Sequence, residues 1–450
     1  GVGKRVVMLF STLMVVMSLL IIRLYTLMSG EELAQAAAQQ SSYTLTATSR
    51  RGAIYDCNMI PLVNRGTGYV AAVVPSSGAA DFLLSRAESD QRREDLLTLL
   101  STGKPFTVSV PDKRVYANGV RVFETTIRYT RPLAAHIIGT VDADGRGKSG
   151  IELGWNDLLT AHTATTSIRC VVDATGRAMA DKGIETIYQG AEDYTGLVLT
   201  LDRTIQMLCE NVLETRTDKG ACIVMEAGTG KLRAVASTPG FDPREVEESL
   251  DAPDAPLINR AFSSYNVGST FKLAVAAAAL ESGVSKDFSY TCTGSITVGD
   301  TTYHCHNRNG HGTVDMKRAI EVSCNPYFVN LAQEIGYTAV YSMASLLGFG
   351  SEEILTDGIT SASGNLPEPD SIQTPGEVAN LAFGQGELLA TPLQIIQMVA
   401  AIENGGETVH PILVEGISDE SGSKIEEELP SYSGARAMGE DTAALLRSWM

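Results

Sequence analysis

Basic residues are in short supply in this 450-residue chain: 35 Lys and Arg stand against 53 Asp and Glu, a formal net charge of −18. A phosphate backbone is held by surplus positive charge, so nucleic acid is excluded as a partner. Paired cysteines are missing as well. The seven cysteines are scattered without a CxxC pair, which argues against a redox motif and against the disulfide framework of a small secreted domain. Their odd number leaves at least one thiol free or paired between chains. Internal repeats and low-complexity tracts are also lacking. With 44 % hydrophobic residues the chain is long enough for two or three domains, each with its own core.

What is present begins with an apolar run. From Val6 to Ile22 no charge occurs, and past Arg23 the apolar character resumes at Leu24, Tyr25, Leu27 and Met28. A bilayer needs roughly 20 such residues. Lys4 and Arg5 precede the run and Glu31 and Glu32 follow it, so the positive-inside bias puts residues 1–5 in the cytoplasm, an anchor at 6–28 and the remainder outside. Arg23 can snorkel to the outer interface. A cleaved secretory signal is the competing reading, but the run exceeds an ordinary h-region and no small-x-small site follows closely.

Beyond the anchor, Gln35 to Gln40 is polar and Ala-rich, and YTLTATSRRGAIYD reads as extended strand. Charge patterning predicts helix from about Asp81 to Leu100. Short β-branched runs between Phe106 and Tyr129 are split by Asn118-Gly119, a hairpin turn signal. Near residue 195 the texture changes. TGLVLTLD is a buried-strand run, Arg203 to Arg216 has helical periodicity, and GACIVMEAGTGKLRAVAS reads as two strands joined at a Gly-Thr-Gly turn. A domain boundary is therefore placed at 194/195. Asp202 and Glu226 are read as turn residues, and His136 and His162 as ordinary residues of the N-terminal domain.

The chemistry concentrates at Ser269-Thr270-Phe271-Lys272, preceded by Gly268 and followed by the helix former LAVAAAALESG. Spacing of three stacks Ser269 and Lys272 on one helical face. A serine hydroxyl needs a base, and a lysine serves when burial lowers its pKa. The helix N-terminus adds a positive field where an oxyanion would form. Two other SxxK strings, Ser101/Lys104 and Ser421/Lys424, open no apolar helix and read as surface turns. A helix cap explains Ser269 equally well when it is taken alone. Ser323-Cys324-Asn325 adds weight: it ends the helical stretch VDMKRAIEV and precedes Pro326. Capping predicts Asn325 as N-cap with Pro326 at the first helical position. The SxN strings at Ser264 and Ser363 are set aside, one too near Ser269 and the other in a Ser-Gly loop.

STFK and SCN in this order resemble the first two motifs of the penicillin-recognising serine enzymes. Further segments resemble the class B penicillin-binding proteins: Arg51-Gly52-Ala53-Ile54-Tyr55-Asp56-Cys57-Asn58, with Cys57 where Arg is usual and Met59 where Gly is; Gly139 and Gly150-Ile151-Glu152; Ser237-Thr238-Pro239 through Asp242-Pro243; Asn259-Arg260; Phe383-Gly384-Gln385-Gly386; and Thr391-Pro392-Leu393-Gln394. The resemblance covers nearly the whole chain. It implies a multidomain α+β and α/β protein: anchor, an elongated pedestal or dimerisation domain at 29–194, and a transpeptidase domain at 195–450 built as an antiparallel sheet flanked by helices. The third motif of the family, Lys-Thr/Ser-Gly, is absent after Ser269. Because DTAALLRSWM resembles the helix that precedes it, the chain is expected to stop short of that motif, and its initial Gly fits incompleteness at both ends.

The resemblance implies a D,D-transpeptidase that cross-links peptidoglycan stem peptides through an acyl-serine and is a target of β-lactams. Ser269 would be nucleophile, Lys272 the base and Ser323 a proton shuttle. Asn325 with Gly384, Gln385 and Gly386 would bind substrate. No metal or organic cofactor is implied. The family works beside a polytopic membrane glycosyltransferase of the division or elongation machinery. Cys292, His304, Cys305, His306 and His311 include zinc ligand types, yet no CxxC or HxxxH spacing occurs, so a rim loop closed by a Cys292–Cys305 disulfide is preferred. The rival from another class is a non-catalytic scaffold with an incomplete transpeptidase domain; a β-lactamase or sensor would not need the N-terminal signature.

Overall fold

The apolar run forms one helix, Val2–Met28, of 27 residues, about 40 Å long at the α-helical rise. Its side chains from Gly3 to Thr26 are all exposed. It is long and apolar enough to cross a membrane. The computed structural model describes residues 2–28, 41–114, 117–130, 133–173, 175–190, 192–430 and 434–450. The Ala-rich stretch Gln35 to Gln40 lies outside them.

The chain forms two compact units that interleave along the sequence: Gly1–Arg50, Gly66–Ile127 and Thr163–Ala191 make one, and Arg51–Arg65, Arg128–His162 and Glu192–Met450 make the other. In the first unit Ser42–Arg50, Ala164–Val171 and Ile184–Gln189 form an antiparallel sheet. A second sheet sets Gly66–Val73 between Phe106–Val110 and Val120–Ile127. Ala47, Ala72, Val74 and Ile168 pack together as one of its buried cores. The expected hairpin at Asn118-Gly119 does not form, because Gly66–Val73 occupies the place between the two strands and pairs with both. The turn instead returns the chain beside Val74, whose N–H donates to the Gly119 carbonyl.

The helix expected from Asp81 to Leu100 is two helices, Ser77–Leu84 and Asp90–Ser101. Each starts at a serine whose side chain accepts from a first-turn N–H, Ser76 from Ala79 and Ser89 from Arg92. Such caps contribute about 1 kcal/mol, and the second one restarts the helix after the chain has turned. Phe82, Leu83 and Leu96 pack on Val73, Phe106 and Val120.

In the second unit, the buried-strand run is Gly196–Leu199, with Leu197, Val198 and Leu199 at 0 % exposure. It pairs in parallel with Ala53–Tyr55 and antiparallel with Val414–Ser418, which carries Ile425–Glu428 at the edge. Asp202 is more than a turn residue: it caps helix Arg203–Arg216 by accepting from Thr204 and Ile205 N–H. That helix packs on the antiparallel hairpin Gly220–Met225 and Leu232–Thr238. Glu226 sits in the hairpin turn and pairs with Arg233. The hairpin is bridged to the segment that enters Val414–Ser418 by Leu232 N–H on the Ile412 carbonyl and Ile412 N–H on the Gly230 carbonyl. Beside it lies a helical core. Phe271, Ala274–Ala279, Tyr327, Phe328, Phe349 and Leu446 are buried together, contributed by helices that include Lys272–Glu281, Asn325–Ile335, Tyr337–Leu346 and Glu440–Trp449.

One carboxylate ties the short segments of this unit to each other. Glu152, fully buried, accepts from Arg51 Nε at 3.0 Å, Arg128 Nε at 2.5 Å and the Tyr129 hydroxyl at 2.8 Å. Arg51 also donates to Gly145 and Asn156 carbonyls and to Thr160. This is the physical content of the Arg51-Gly52 and Gly150-Ile151-Glu152 strings. Gly52 takes part too, since a Cβ there would lie 3.0 Å from the Leu159 carbonyl oxygen. Two buried guanidiniums left without their counter-charge are costly. Glu152→Gln is expected to lower unfolding free energy by about 3–5 kcal/mol in a urea titration; a loss below about 1 kcal/mol would mean the pair is as dispensable as a surface bridge.

Candidate active site

Ser269 lies in a single 3-10 turn, Gly268–Phe271, that runs into helix Lys272–Glu281. Within the turn Thr270 Oγ1 donates to the Val267 carbonyl, and a backbone contact braces it against a second glycine. Gly268 donates its N–H to the Gly384 carbonyl at 2.9 Å, with φ of +65° and +75° at the two glycines. A Cβ on Gly384 would sit 2.0 Å from the Gly268 carbonyl oxygen, so no other residue fits there. Gln385 and Gly386 follow on the surface, with Gln385 N–H on the Asn380 carbonyl. The Thr391-Pro392-Leu393-Gln394 string is a capping box with Pro at the helix start. Buried Gln394 also donates to the carbonyls of Gly348, Ser351 and Ser363.

Lys272 is the centre. Its ammonium nitrogen lies 3.2 Å from Ser269 Oγ, 2.9 Å from the Ser323 carbonyl, 2.8 Å from Ser323 Oγ and 2.7 Å from Asn325 Oδ1. All four acceptors are neutral in charge. The side chain is 3 % exposed, and burial brings its pKa down from 10.5 to about 8. Ser269 itself is exposed. A solvent-open hydroxyl thus faces a sheltered amine, the arrangement that lets a serine give up its proton inward and attack a carbonyl that arrives from outside.

Ser323 and Asn325 reach Lys272 because of how one helix ends and the next begins. Helix Met316–Glu321 closes with Ser323 N–H on the Ile320 carbonyl and Cys324 N–H on the Ala319 carbonyl, the two bonds of a Schellman motif. The residue in its left-handed position is ordinarily glycine; here it is Ser323 at φ +48°, a strain of about 1–2 kcal/mol. Asn325 is not the N-cap predicted from sequence. Cys324 holds that position, and Asn325 is the first residue of Asn325–Ile335 with Pro326 second. Freed from capping, its carboxamide bridges Lys272 and, through Nδ2, the His304 carbonyl at 3.1 Å. Sequence reasoning found no signal for His304 in this role, because it contributes a backbone atom.

The other strings fall where surface turns were expected. Ser101 donates to the Thr98 carbonyl at a helix end and Ser421 to Asp419, both exposed. All seven cysteines are free thiols, so the anticipated Cys292–Cys305 disulfide is not formed. The short hairpin Ser295–Val298 and Thr301–His304 does lie between them. It delivers Cys305 to a cluster with Cys292, His311 and Cys324 rather than to one partner.

Residues 220–450, half of the chain, match the family described as penicillin binding protein transpeptidase domain. The chain belongs to this family. It is 26 % identical over 446 residues to stage V sporulation protein D of Bacillus subtilis, covering 93 % of this chain and 67 % of that protein. It is 33 % identical over 250 residues to the peptidoglycan D,D-transpeptidase PbpA of Mycobacterium tuberculosis, covering 52 % of this chain and 50 % of that protein. The chain therefore spans between half and two thirds of these relatives. Among solved structures, a penicillin G acyl-enzyme complex of penicillin-binding protein A from M. tuberculosis shares the fold with a TM-score of 0.62 at 21 % identity, over 89 % of this chain and 81 % of that one. A D,D-transpeptidase domain from Eggerthella lenta gives 0.61 at 23 %, over 89 % and 80 %.

Within this penicillin-binding fold the cost of Ser323 is informative, since glycine would adopt its conformation freely. Ser323→Gly is expected to leave unfolding free energy within about 1 kcal/mol of the parent, relief of strain offsetting one lost hydrogen bond and added chain entropy. Its acylation by a fluorescent penicillin should slow at least about tenfold. Unchanged acylation would remove the hydroxyl from the chemistry.

Proposed function

We propose that this protein is a serine-type peptidoglycan D,D-transpeptidase, on the observation that Lys272 joins Ser269, Ser323 and Asn325 in one buried hydrogen-bond cluster. An ammonium has three donors, and the three shortest contacts of Lys272 go to Ser323 O, Ser323 Oγ and Asn325 Oδ1. When the amine is neutral it keeps two donors, gives up one of these three contacts and turns its lone pair to accept from the Ser269 hydroxyl, the fourth neighbour. With a pKa of about 8, roughly one lysine in ten is neutral at pH 7, against a few in ten thousand for an exposed one.

Ser269 Oγ attacks the carbonyl of the penultimate D-Ala of a stem peptide while Lys272 takes its proton. The tetrahedral oxyanion collapses and the C–N bond to the terminal D-Ala breaks. Ser323 relays the proton from Lys272 to the departing amine, leaving the stem peptide as an ester on Ser269. An amine of a second strand then attacks the ester, its proton returns through the same groups, and Ser269 is released with a cross-link made. Asn325 orients the donor amide. The surface segment Gln385-Gly386 lies beyond the Gly268–Gly384 contact as a rim for peptide. β-Lactams, which carry a strained amide in place of the D-Ala-D-Ala bond, acylate Ser269 and stall there.

The same reading places helix Val2–Met28 in the membrane, with Lys4 and Arg5 inside and the catalytic unit outside. A polytopic glycosyltransferase of the division or elongation machinery is the partner proposed for the anchor and N-terminal unit. Fluorescent penicillin added to intact protoplasts, to which the cytoplasm is closed, is expected to label the gene product, and Ser269→Ala to abolish the label. A full-length product that folds and remains unlabelled would leave a scaffold, not an enzyme. The acylation rate should also climb with pH, because the neutral amine is the reactive form and its fraction rises through a pKa of about 8. A rate flat or falling between about pH 7 and 9 would exclude Lys272 as the base.

A further inference from the structure

A cleft in the N-terminal unit opens between the edges of its two sheets. Strand Ser42–Arg50 lies at the edge of one sheet and strand Val120–Ile127 at the edge of the other, and the two lie against each other with no ladder between them. The space they leave is about 210 Å³. A bulge shapes one wall. Residues two apart on a strand share a face, but the extra residue Ala47 sets Thr46 against Ser167 and Thr48 against Thr166, on opposite faces of the sheet. On the far face Ser167 donates to Thr46 at 3.4 Å. On the near face the register carries a rung from Thr48 through Thr166 to Tyr188, about 10 Å across at the usual strand spacing. Thr125 and Thr126 face it from the other sheet, and Arg50 and Glu124 add one charge of each sign to the lining.

Elsewhere in the protein, threonines that face each other across strands satisfy each other, as Thr291 does with Thr313 at 3.0 Å and Thr297 with Thr302 at 3.1 Å. In the cleft they do not. Thr48, Thr125, Thr126, Thr165 and Thr166 make no side-chain hydrogen bond among the described residues. Each is half-buried, and each hydroxyl offers one donor and two acceptor sites. Tyr188 is 65 % exposed, so an aromatic face stands bare beside them.

We propose that this cleft binds linked sugar rings of a glycan strand. A sugar is a neutral polyol whose hydroxyls donate and accept as those of threonine do, and whose C–H face packs on an aromatic ring. Arg50 and Glu124 oppose each other in charge, so the cleft favours no ion of either sign, while both side chains hydrogen-bond strongly to hydroxyls. An added peptide strand would need pockets for alternate side chains, and a lining of hydroxyls supplies none. A rung of about 10 Å is longer than one pyranose ring, so two linked sugars fill it and one does not. The identity of the glycan rests on the transpeptidase reading: the stem peptides that Ser269 would join are carried on such a strand, and the cleft gives the N-terminal unit its own hold on that polymer.

The whole gene product, held in a zwitterionic detergent that carries no sugar head group, is titrated with chitotetraose, a β-linked tetramer of N-acetylglucosamine, and followed by saturation-transfer NMR and calorimetry. The parent is expected to bind the tetramer at least about tenfold more tightly than the monomer, through the added hydrogen bonds of a second ring. Thr166→Val keeps the branched shape and removes the hydroxyl; it should weaken binding at least about threefold. Tyr188→Ala should weaken it at least about tenfold. Both variants should be acylated by fluorescent penicillin at the parent's rate, since a soluble β-lactam brings no glycan. Tetramer affinity that is equal in the parent and both variants overturns the proposal, and so does a parent that penicillin labels but the tetramer does not bind. A monomer that binds as tightly as the tetramer overturns the strand in favour of a free sugar. A parent that binds the tetramer and is never labelled would remove the transpeptidase reading and leave the cleft as a sugar site.

Discussion

A lysine buried without a carboxylate is the constraint around which the catalytic unit is arranged. Lys272 has given up most of its hydration, and no anion repays it; only neutral oxygens from Ser269, Ser323 and Asn325 surround it. A carboxylate in that position would hold the amine protonated and idle. The neutral partners leave the charged form tolerable but not favoured, which is why burial can move its pKa to about 8. Helix Lys272–Glu281 buries Ala274 to Ala279, which fixes the backbone from which the lysine extends.

Each acceptor is delivered by a different backbone device. The turn before Ser269 is braced by the Gly268–Gly384 contact, where side chains are excluded by distance. Ser323 stands in a helix-ending position that suits glycine, and Asn325 stands one residue inside the next helix. In the same unit, Glu152 fixes Arg51, Arg128 and Tyr129 and so binds the segments 51–65 and 128–162 to each other. Burial and then the Glu152 charge push the Tyr129 phenol up, keeping it a hydrogen-bond donor to that carboxylate.

Much of this was legible in the sequence, and the rest was hidden for identifiable reasons. The helix at Arg203–Arg216 and the hairpin around Gly228-Thr229-Gly230 agree with periodicity and turn chemistry, because both are local. Ser269, Lys272, Ser323 and Asn325 were singled out from spacing and from the helix that follows, and they lie together. The β-sheet order was not legible: Phe106–Val110 and Val120–Ile127 look like a hairpin, yet Gly66–Val73 comes from far back in the chain to separate them. Propensity does not register such non-local pairing. Asn325 was misread as a cap for a related reason, since its tertiary partner Lys272 outcompetes the local hydrogen bond. The Cys292–Cys305 disulfide was an argument from proximity in a hairpin, and it omitted His311 and Cys324, which other segments bring to the same point.

The proposed chemistry turns on Lys272 being a base near neutrality. Titrating it directly, by the 13Cε chemical shift of labelled lysine with Lys272→Arg to assign the signal, tests this without relying on any substrate. A midpoint of about 8, well below the ordinary 10.5, is expected. A lysine that titrates at its ordinary value would contradict it, because the amine would then be a permanent cation that only hydrogen-bonds to Ser269.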